Sequence, residues 1–249
     1  MIESLAAWLP PLLAAPFIGS FLGVLIQRLP AQRPWLVARS ACDACGRSLG
    51  VLDLVPVASY LALRGRCRSC GAPIGGFHLA VEILALLVPA SAALVEPDVA
   101  SLWADCLLGW ALLALGWIDL RSFLLPDAIT LPLIVAGLAA TWWLTPEVIL
   151  DHAIGAIAGY LFFRAVAITY RALRGREGLG AGDAKLLAAA GAWLGWQALP
   201  TVVLTAALIG LAGAAVLALR GGRLHGATRL PFGAPLALAA WIVRLLLSS

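Results

Sequence analysis

Two carboxylates stand at the edges of long apolar runs. Gly-Leu-Gly-Ala-Gly-Asp (178–183) ends on Asp183, and Ile-Asp-Leu-Arg (118–121) carries Asp119. A charge bordering hydrocarbon costs roughly 2–3 kcal/mol even on lenient insertion scales, so each is expected to have a role and a partner. Glu82, Asp105, Asp127 and Asp151 also lie in or beside apolar runs. Only Asp119, closing one run, and Asp183, opening another, combine a helix-end position with the same predicted side of the molecule. Two carboxylates that approach closely cannot both ionise. A pair sharing one proton can take a proton from water while protonating a carbonyl, which is the chemistry of peptide-bond hydrolysis. The helix macrodipole favours the ionised base at Asp183, at a helix N-terminus, and the acid at Asp119, at a C-terminus. The competing reading makes them helix-end residues, with Asp183 an N-cap and Asp127, after Pro126, the cap of the next helix.

A second constellation is formed by Cys42, Cys45, Cys67 and Cys70, in two C-x2-C pairs separated by 21 residues. This is close to zinc-ribbon spacing. Each pair offers two thiolates from one turn, and two turns complete the tetrahedral sulfur shell that zinc accepts in structural sites. Four protein ligands leave no open position, so one structural zinc per chain is expected and no catalytic one. Two disulfides are the alternative, but they are rare on the reducing side of a membrane, where this segment is placed below. Cys106, alone in an apolar run, is expected to serve packing.

The elements that must position these groups are membrane helices. With 62% hydrophobic and 12% charged residues, the chain lies far outside the composition of soluble domains. Its mean hydropathy of +0.97 agrees. A span needs roughly 20 apolar residues, and eight runs approach this: Leu5–Ile26, His78–Leu94, Ser101–Ile118, Ile129–Leu144, Val148–Tyr170, Ala184–Leu199, Val202–Leu219 and Ala234–Leu247. The first lacks a basic region before it and a cleavage site after it, so it is read as a retained helix. The prediction is an all-α polytopic membrane protein of about eight transmembrane helices. Residues 1–28 form the first, 29–77 a small zinc-ribbon-like four-cysteine domain, and 78–249 a seven-helix membrane domain.

Basic residues fix the orientation. Arg28, Arg33, Arg39, Arg47, Arg64, Arg66 and Arg68 follow the first span, Arg121 the third, Arg171, Arg174 and Arg176 the fifth, and Arg220, Arg223 and Arg229 the seventh. The alternate connections hold Glu96, Asp98 and Glu147 without a Lys or Arg. The positive-inside rule therefore makes the basic connections cytoplasmic and both termini periplasmic. The net charge of +4 is accounted for by topology and anionic lipid, so the partner is the bilayer and no nucleic acid is expected.

The motifs, taken in order, resemble those of the type IV prepilin leader peptidases, bifunctional leader peptidases and N-methyltransferases of the GxGD aspartic protease class. GSFLGVLIQRLP (19–30), the paired cysteine motifs, LRGRCRSC (63–70), VEIL (81–84), IDLRSFLLPDAITLPL (118–133) and GAGDAKLLAAAGAWLG (180–195) carry the likeness over nearly the whole chain. Position by position, the resemblance implies catalytic roles for Asp119 and Asp183. Gly180 and Gly182 would support the catalytic turn. Lys185 also matches a family position, where it either serves the site or anchors its helix at the headgroups. Asp127 falls on a position that the family can fill with Asn, which fits a cap.

The resemblance further implies a bacterial inner-membrane enzyme with its active site toward the cytoplasm. Its substrates would be prepilins or pseudopilins of type IV pili or type II secretion: a basic leader, a Gly before the cut, then commonly Phe and a long apolar helix. A second reaction would methylate the new N-terminal amine with S-adenosylmethionine. The chain departs from the family pattern at Gly23, where the family has Asn, at Gln27, where it has Tyr, and in GVLDLVPVASYL (50–61), which lacks the usual Trp residues. These departures bear on methyl transfer, so a peptidase without methylation is the alternative. A transporter would show inverted repeats with matched interruptions, and none is evident. An inactive zinc-ribbon scaffold would be indifferent to both aspartates.

Overall fold

The computed structural model of the chain describes residues 2–35, 39–175, 178–220 and 231–248, with side chains from residue 8 onward. Arg176, Arg223 and Arg229 lie outside the described residues. The helices are α1 (Ile2–Arg28), α2 (Ala58–Ala62), α3 (Phe77–Ala92), α4 (Val99–Ser122), α5 (Asp127–Leu144), α6 (Ile149–Arg174), α7 (Ala181–Leu194), α8 (Leu199–Leu219) and α9 (Gly233–Ser248). Among the described residues there is no strand, only two isolated bridges. The eight predicted apolar runs fall on helices, except that the sixth, Ala184–Leu199, breaks at Gly195, where α7 gives way to a short 3-10 turn before α8. Among the described residues, five helices are long and apolar enough to cross a membrane: Trp8–Arg28, Val99–Ser122, Asp127–Leu144, Pro146–Arg174 and Trp196–Leu219. Helices α3, α7 and α9 are shorter, at 16, 14 and 16 residues.

The chain forms two compact units, 1–110 and 111–249. In the first, α1 packs along α3. The backbones come so close that a Cβ on Gly19 would lie 2.7 Å from Glu82 Cα, while the His78 side chain fills the space at Gly23, where a Cβ would lie 2.6 Å from its Nδ1. Trp110 donates its indole N–H to the Ala85 carbonyl at 2.9 Å, which gives that buried ring its polar partner. The buried Glu82 carboxylate accepts the Val57 N–H at 2.8 Å and so ties the cysteine segment to α3. Val57 itself has φ of 60°, a conformation β-branched residues rarely adopt, and this bond helps to hold it there.

In the second unit α7 is the central helix. It packs against α5, α6, α8 and α9, and from Asp183 to Leu194 every residue but Lys185 is buried. Apolar residues all round the helix make this enclosure favourable. Rising about 21 Å over its 14 residues, α7 is shorter than the roughly 30 Å hydrocarbon layer. Protein, not lipid, surrounds it, which is the condition under which polar backbone at a helix end is tolerated in a membrane. The closest contact is with α6, through Gly155 and Gly159. A Cβ on Gly159 would lie 2.6 Å from the Leu187 carbonyl oxygen, and one on Gly191 would lie 2.2 Å from that of Gly155. Small residues four apart are the usual device by which membrane helices bring their backbones together. Against α5, Trp193 lies over Gly137 and donates to the Leu133 carbonyl at 2.8 Å.

Candidate active site and metal centre

Asp119 lies near the end of α4 and Asp183 in the first turn of α7, and both are buried, at 4% and 9% exposure. They are close enough for their charges to act on one another. Each is held by backbone N–H groups. Asp183 Oδ2 accepts from Gly180 at 3.1 Å, and Asp119 Oδ2 accepts from Ala234, at the start of α9, at 2.9 Å. Charged acceptors of backbone donors make strong, oriented bonds, so one oxygen of each carboxylate is fixed.

The details correct two sequence expectations. Gly180, not Asp183, is the N-cap of α7; Asp183 is the third helical residue and reaches back to the cap N–H, the acidic half of a capping box. Asp127 does not cap α5. The N-cap is Pro126, and the Asp127 carboxylate instead pairs with Lys185. The dipole contrast between the aspartates is also narrower than the sequence suggested, because Asp119 faces the N-terminus of α9 as well as ending α4.

Glycines and one leucine shape the space around the pair. A Cβ on Gly233 would lie 2.9 Å from Asp119 Cγ and 3.0 Å from Leu125 Cδ1, while one on Gly182 would lie 2.8 Å from Leu125 Cβ. The Leu125 side chain thus sits between a glycine beside Asp119 and a glycine beside Asp183. Phe232, just before Gly233, packs on the buried Phe163 of α6 with centroids 5.9 Å apart. Sequence reasoning missed Leu125, Phe232, Gly233 and Ala234. The signal available was Phe-Gly-Ala-Pro (232–235), with glycine and proline both in the first turn of α9.

The four cysteines come together. Their sulfurs all lie within 4.8 Å of one another, with Cys42 Sγ and Cys70 Sγ 3.9 Å apart. Tetrahedral zinc with Zn–S bonds of about 2.3 Å places its sulfurs roughly 3.8 Å apart, so the set fits. The two turns are built alike. Cys42 N–H donates to the Arg47 carbonyl and Cys67 N–H to that of Ala72, while Gly46 and Gly71, each at φ 70°, close them. Arg47 joins the first turn to Ser69 of the second, and Arg68 Nε ties the second turn to Asp53 Oδ1 at 2.8 Å. The N–H groups of Cys70 and Ser69 pull the Cys67 thiol down to about 6. At Cys70 the Ala72 N–H favours the thiolate, yet the crowding sulfurs of Cys45, Cys67 and Cys42 push its value up to about 11. A metal ion held between these sulfurs would favour their thiolate forms.

Residues 106–215 match the family model described as "Type IV leader peptidase family", and residues 13–95 match "Bacterial Peptidase A24 N-terminal domain". Proteins named "Prepilin leader peptidase/N-methyltransferase" are similar over most of the chain. One from Burkholderia pseudomallei is 45% identical, over 88% of this chain and 79% of its own length. One from Aeromonas hydrophila is 42% identical, over 92% and 87%. One from Pseudomonas aeruginosa is 37% identical, over 97% and 91%. No solved structure matches the chain significantly.

Proposed function

Because the chain belongs to the type IV leader peptidase family, we propose that it is an inner-membrane aspartic endopeptidase that removes the leader from prepilins or pseudopilins and methylates the new N-terminus. The observation that carries this reading is the pair of buried carboxylates, Asp119 and Asp183, each clamped through one oxygen by a backbone N–H. These backbone bonds orient the two carboxylates, whose oxygens then carry the proton transfers. The ionised member takes a proton from water, whose oxygen attacks the scissile carbonyl carbon. The protonated member gives its proton to the carbonyl oxygen. Collapse of the tetrahedral intermediate breaks the C–N bond, the departing nitrogen takes a proton from the carboxyl group, and an acid and a free amine leave. Gly180 and Gly182 keep this turn clear of side chains, and Lys185 positions it through Asp127.

The amine so released is the nucleophile for the second reaction, for which S-adenosylmethionine supplies the methyl group. Cys42, Cys45, Cys67 and Cys70 hold one structural zinc, which knits residues 29–77 into a domain between the first helix (1–28) and the membrane protease domain (78–249). The basic connections support a cytoplasmic active site with both termini periplasmic. Reporters fused after Arg223 and after Asp98 test this, and should read cytoplasmic and periplasmic respectively.

The decisive experiment is substitution of the dyad. Asp119→Asn and Asp183→Asn should each abolish cleavage of a prepilin by purified, folded enzyme without an ion gradient, with zinc content unchanged. Cleavage retained by either variant refutes the pair.

A further inference from the structure

The four-cysteine segment turns an apolar surface outward. Between Gly50 and Leu63 the one charged residue is Asp53, yet Val51, Leu52, Leu54 and Leu61 are all exposed, the first two at 84% and 72%. Val51 and Leu52 open a 3-10 turn, Val51–Asp53, that packs on α2, the helix of Leu61. An exposed apolar cluster with a polar rim marks a surface that a partner or a membrane covers. Here the rim is basic. Arg47 precedes the stretch and Arg64, Arg66 and Arg68 follow it, all exposed. The acid inside the stretch is neutralised, because Asp53 accepts the Gly50 N–H at 3.2 Å and pairs with Arg68 Nε at 2.8 Å. Apolar in the middle and positive at both ends, this is the pattern of a segment lying among the headgroups of anionic lipid.

Its height along the helices agrees. Val57 donates to Glu82, five residues after the start of α3 and so about 8 Å along it. Helix side chains lean toward the N-terminus, so the two meet beside the first turns of α3. Helix α3 runs antiparallel to α1, with Gly19 beside Glu82 and Gly23 beside His78. The first turns of α3 therefore lie next to the last turns of α1, where the apolar span Trp8–Arg28 ends. We propose that Val51, Leu52, Leu54 and Leu61 enter the headgroup region of the leaflet at that end of α1, with Arg47, Arg64 and Arg66 on the phosphates of anionic phospholipid. The four-cysteine domain is then held at two points, by Glu82 within the protein and by this surface on lipid.

The test uses the full-length protein in nanodiscs of mixed phosphatidylcholine and phosphatidylglycerol, with photoreactive p-benzoylphenylalanine in place of Leu52. After irradiation, mass spectrometry should find phospholipid adducts at position 52, with phosphatidylglycerol exceeding its share of the bilayer by about twofold or more. Arg64→Gln and Arg66→Gln together should remove that excess while adducts still form. The absence of lipid adducts, or adducts confined to a second copy of the chain or to added prepilin, overturns the proposal and gives the surface to water or to protein. Lipid adducts in bilayer proportion overturn the role of the arginines and the assignment to anionic lipid. Should the probe at 52 prevent folding, Val51, still more exposed, carries it and is read in the same way. None of these outcomes depends on cleavage, so the peptidase reading stands or falls separately.

Discussion

Lys185 Nζ donates to Asp127 Oδ1 at 2.5 Å, joining the second turn in prospect of α7 to the first residue of α5, only two residues along the chain from Asp183. The pair is open to solvent, with Asp127 at 58% side-chain exposure, so breaking it should cost at most about 1 kcal/mol of stability. Asp127→Asn is expected to cleave prepilin with kcat/KM reduced by less than about tenfold, whereas the Asn variants of Asp119 and Asp183 do not cleave. Complete inactivity of folded Asp127→Asn would make this third aspartate part of the chemistry.

The glycine against Asp119 gives a sharper test of geometry. Gly233→Ala places a methyl group 2.9 Å from Asp119 Cγ, so the carboxylate or the start of α9 must shift. A displacement of about 1 Å at a reacting group costs on the order of a hundredfold. Cleavage should fall to that extent while Gly213→Ala, whose new methyl meets nothing within 4 Å, stays near native. Equal activity in the two variants would contradict the clamp.

Zinc retention should depend on acidity with a known sign. Thiolates bind metal and thiols do not, and Cys67, drawn down to about 6 by the Cys70 and Ser69 N–H groups, is the readiest to ionise. Apo protein is expected to take up about one zinc per chain at neutral pH and progressively less on acidification, as protons compete for all four sulfurs, with Cys67 protonated after Cys70. Uptake measured by metal analysis that is flat across pH 5–7, or absent throughout, would argue against a thiolate site.

The departure at position 23 has a structural counterpart. His78 fills the space beside Gly23, where any Cβ would approach its Nδ1 to 2.6 Å. Gly23→Asn alone should destabilise the protein by about 1–3 kcal/mol through overpacking. Adding His78→Ala should recover much of that loss, so the double-mutant cycle shows a favourable coupling. Additive losses in thermal denaturation would mean that the two positions are independent.

The helices, the cysteine pairs and the two aspartates were legible because each is a local pattern: an apolar run, a C-x2-C turn, a carboxylate at the end of a run. What was hidden depends on contacts far apart in sequence. Nothing near Asp119 points to Ala234, 115 residues on. Lys185 and Asp127, 58 apart, were read separately as a basic residue and a cap. The start of α7 was misjudged by three residues, since Gly180 and Asp183 are both good cap formers and only the backbone decides between them. The Gly155 and Gly159 spacing, by contrast, was present in the sequence as a helix-packing signal and went unread.

The bond from Ala234 to Asp119 also orders events in time. Ribosomes deliver α4 and α7 to the membrane before α9 exists, so a chain interrupted ahead of Gly233 contains both aspartates but not the donor that orients the first. Assembly of the last helix therefore completes the carboxylate geometry, and an unfinished chain lacks it. Docking of α9 and orientation of the Asp119 carboxylate are, on this account, a single event.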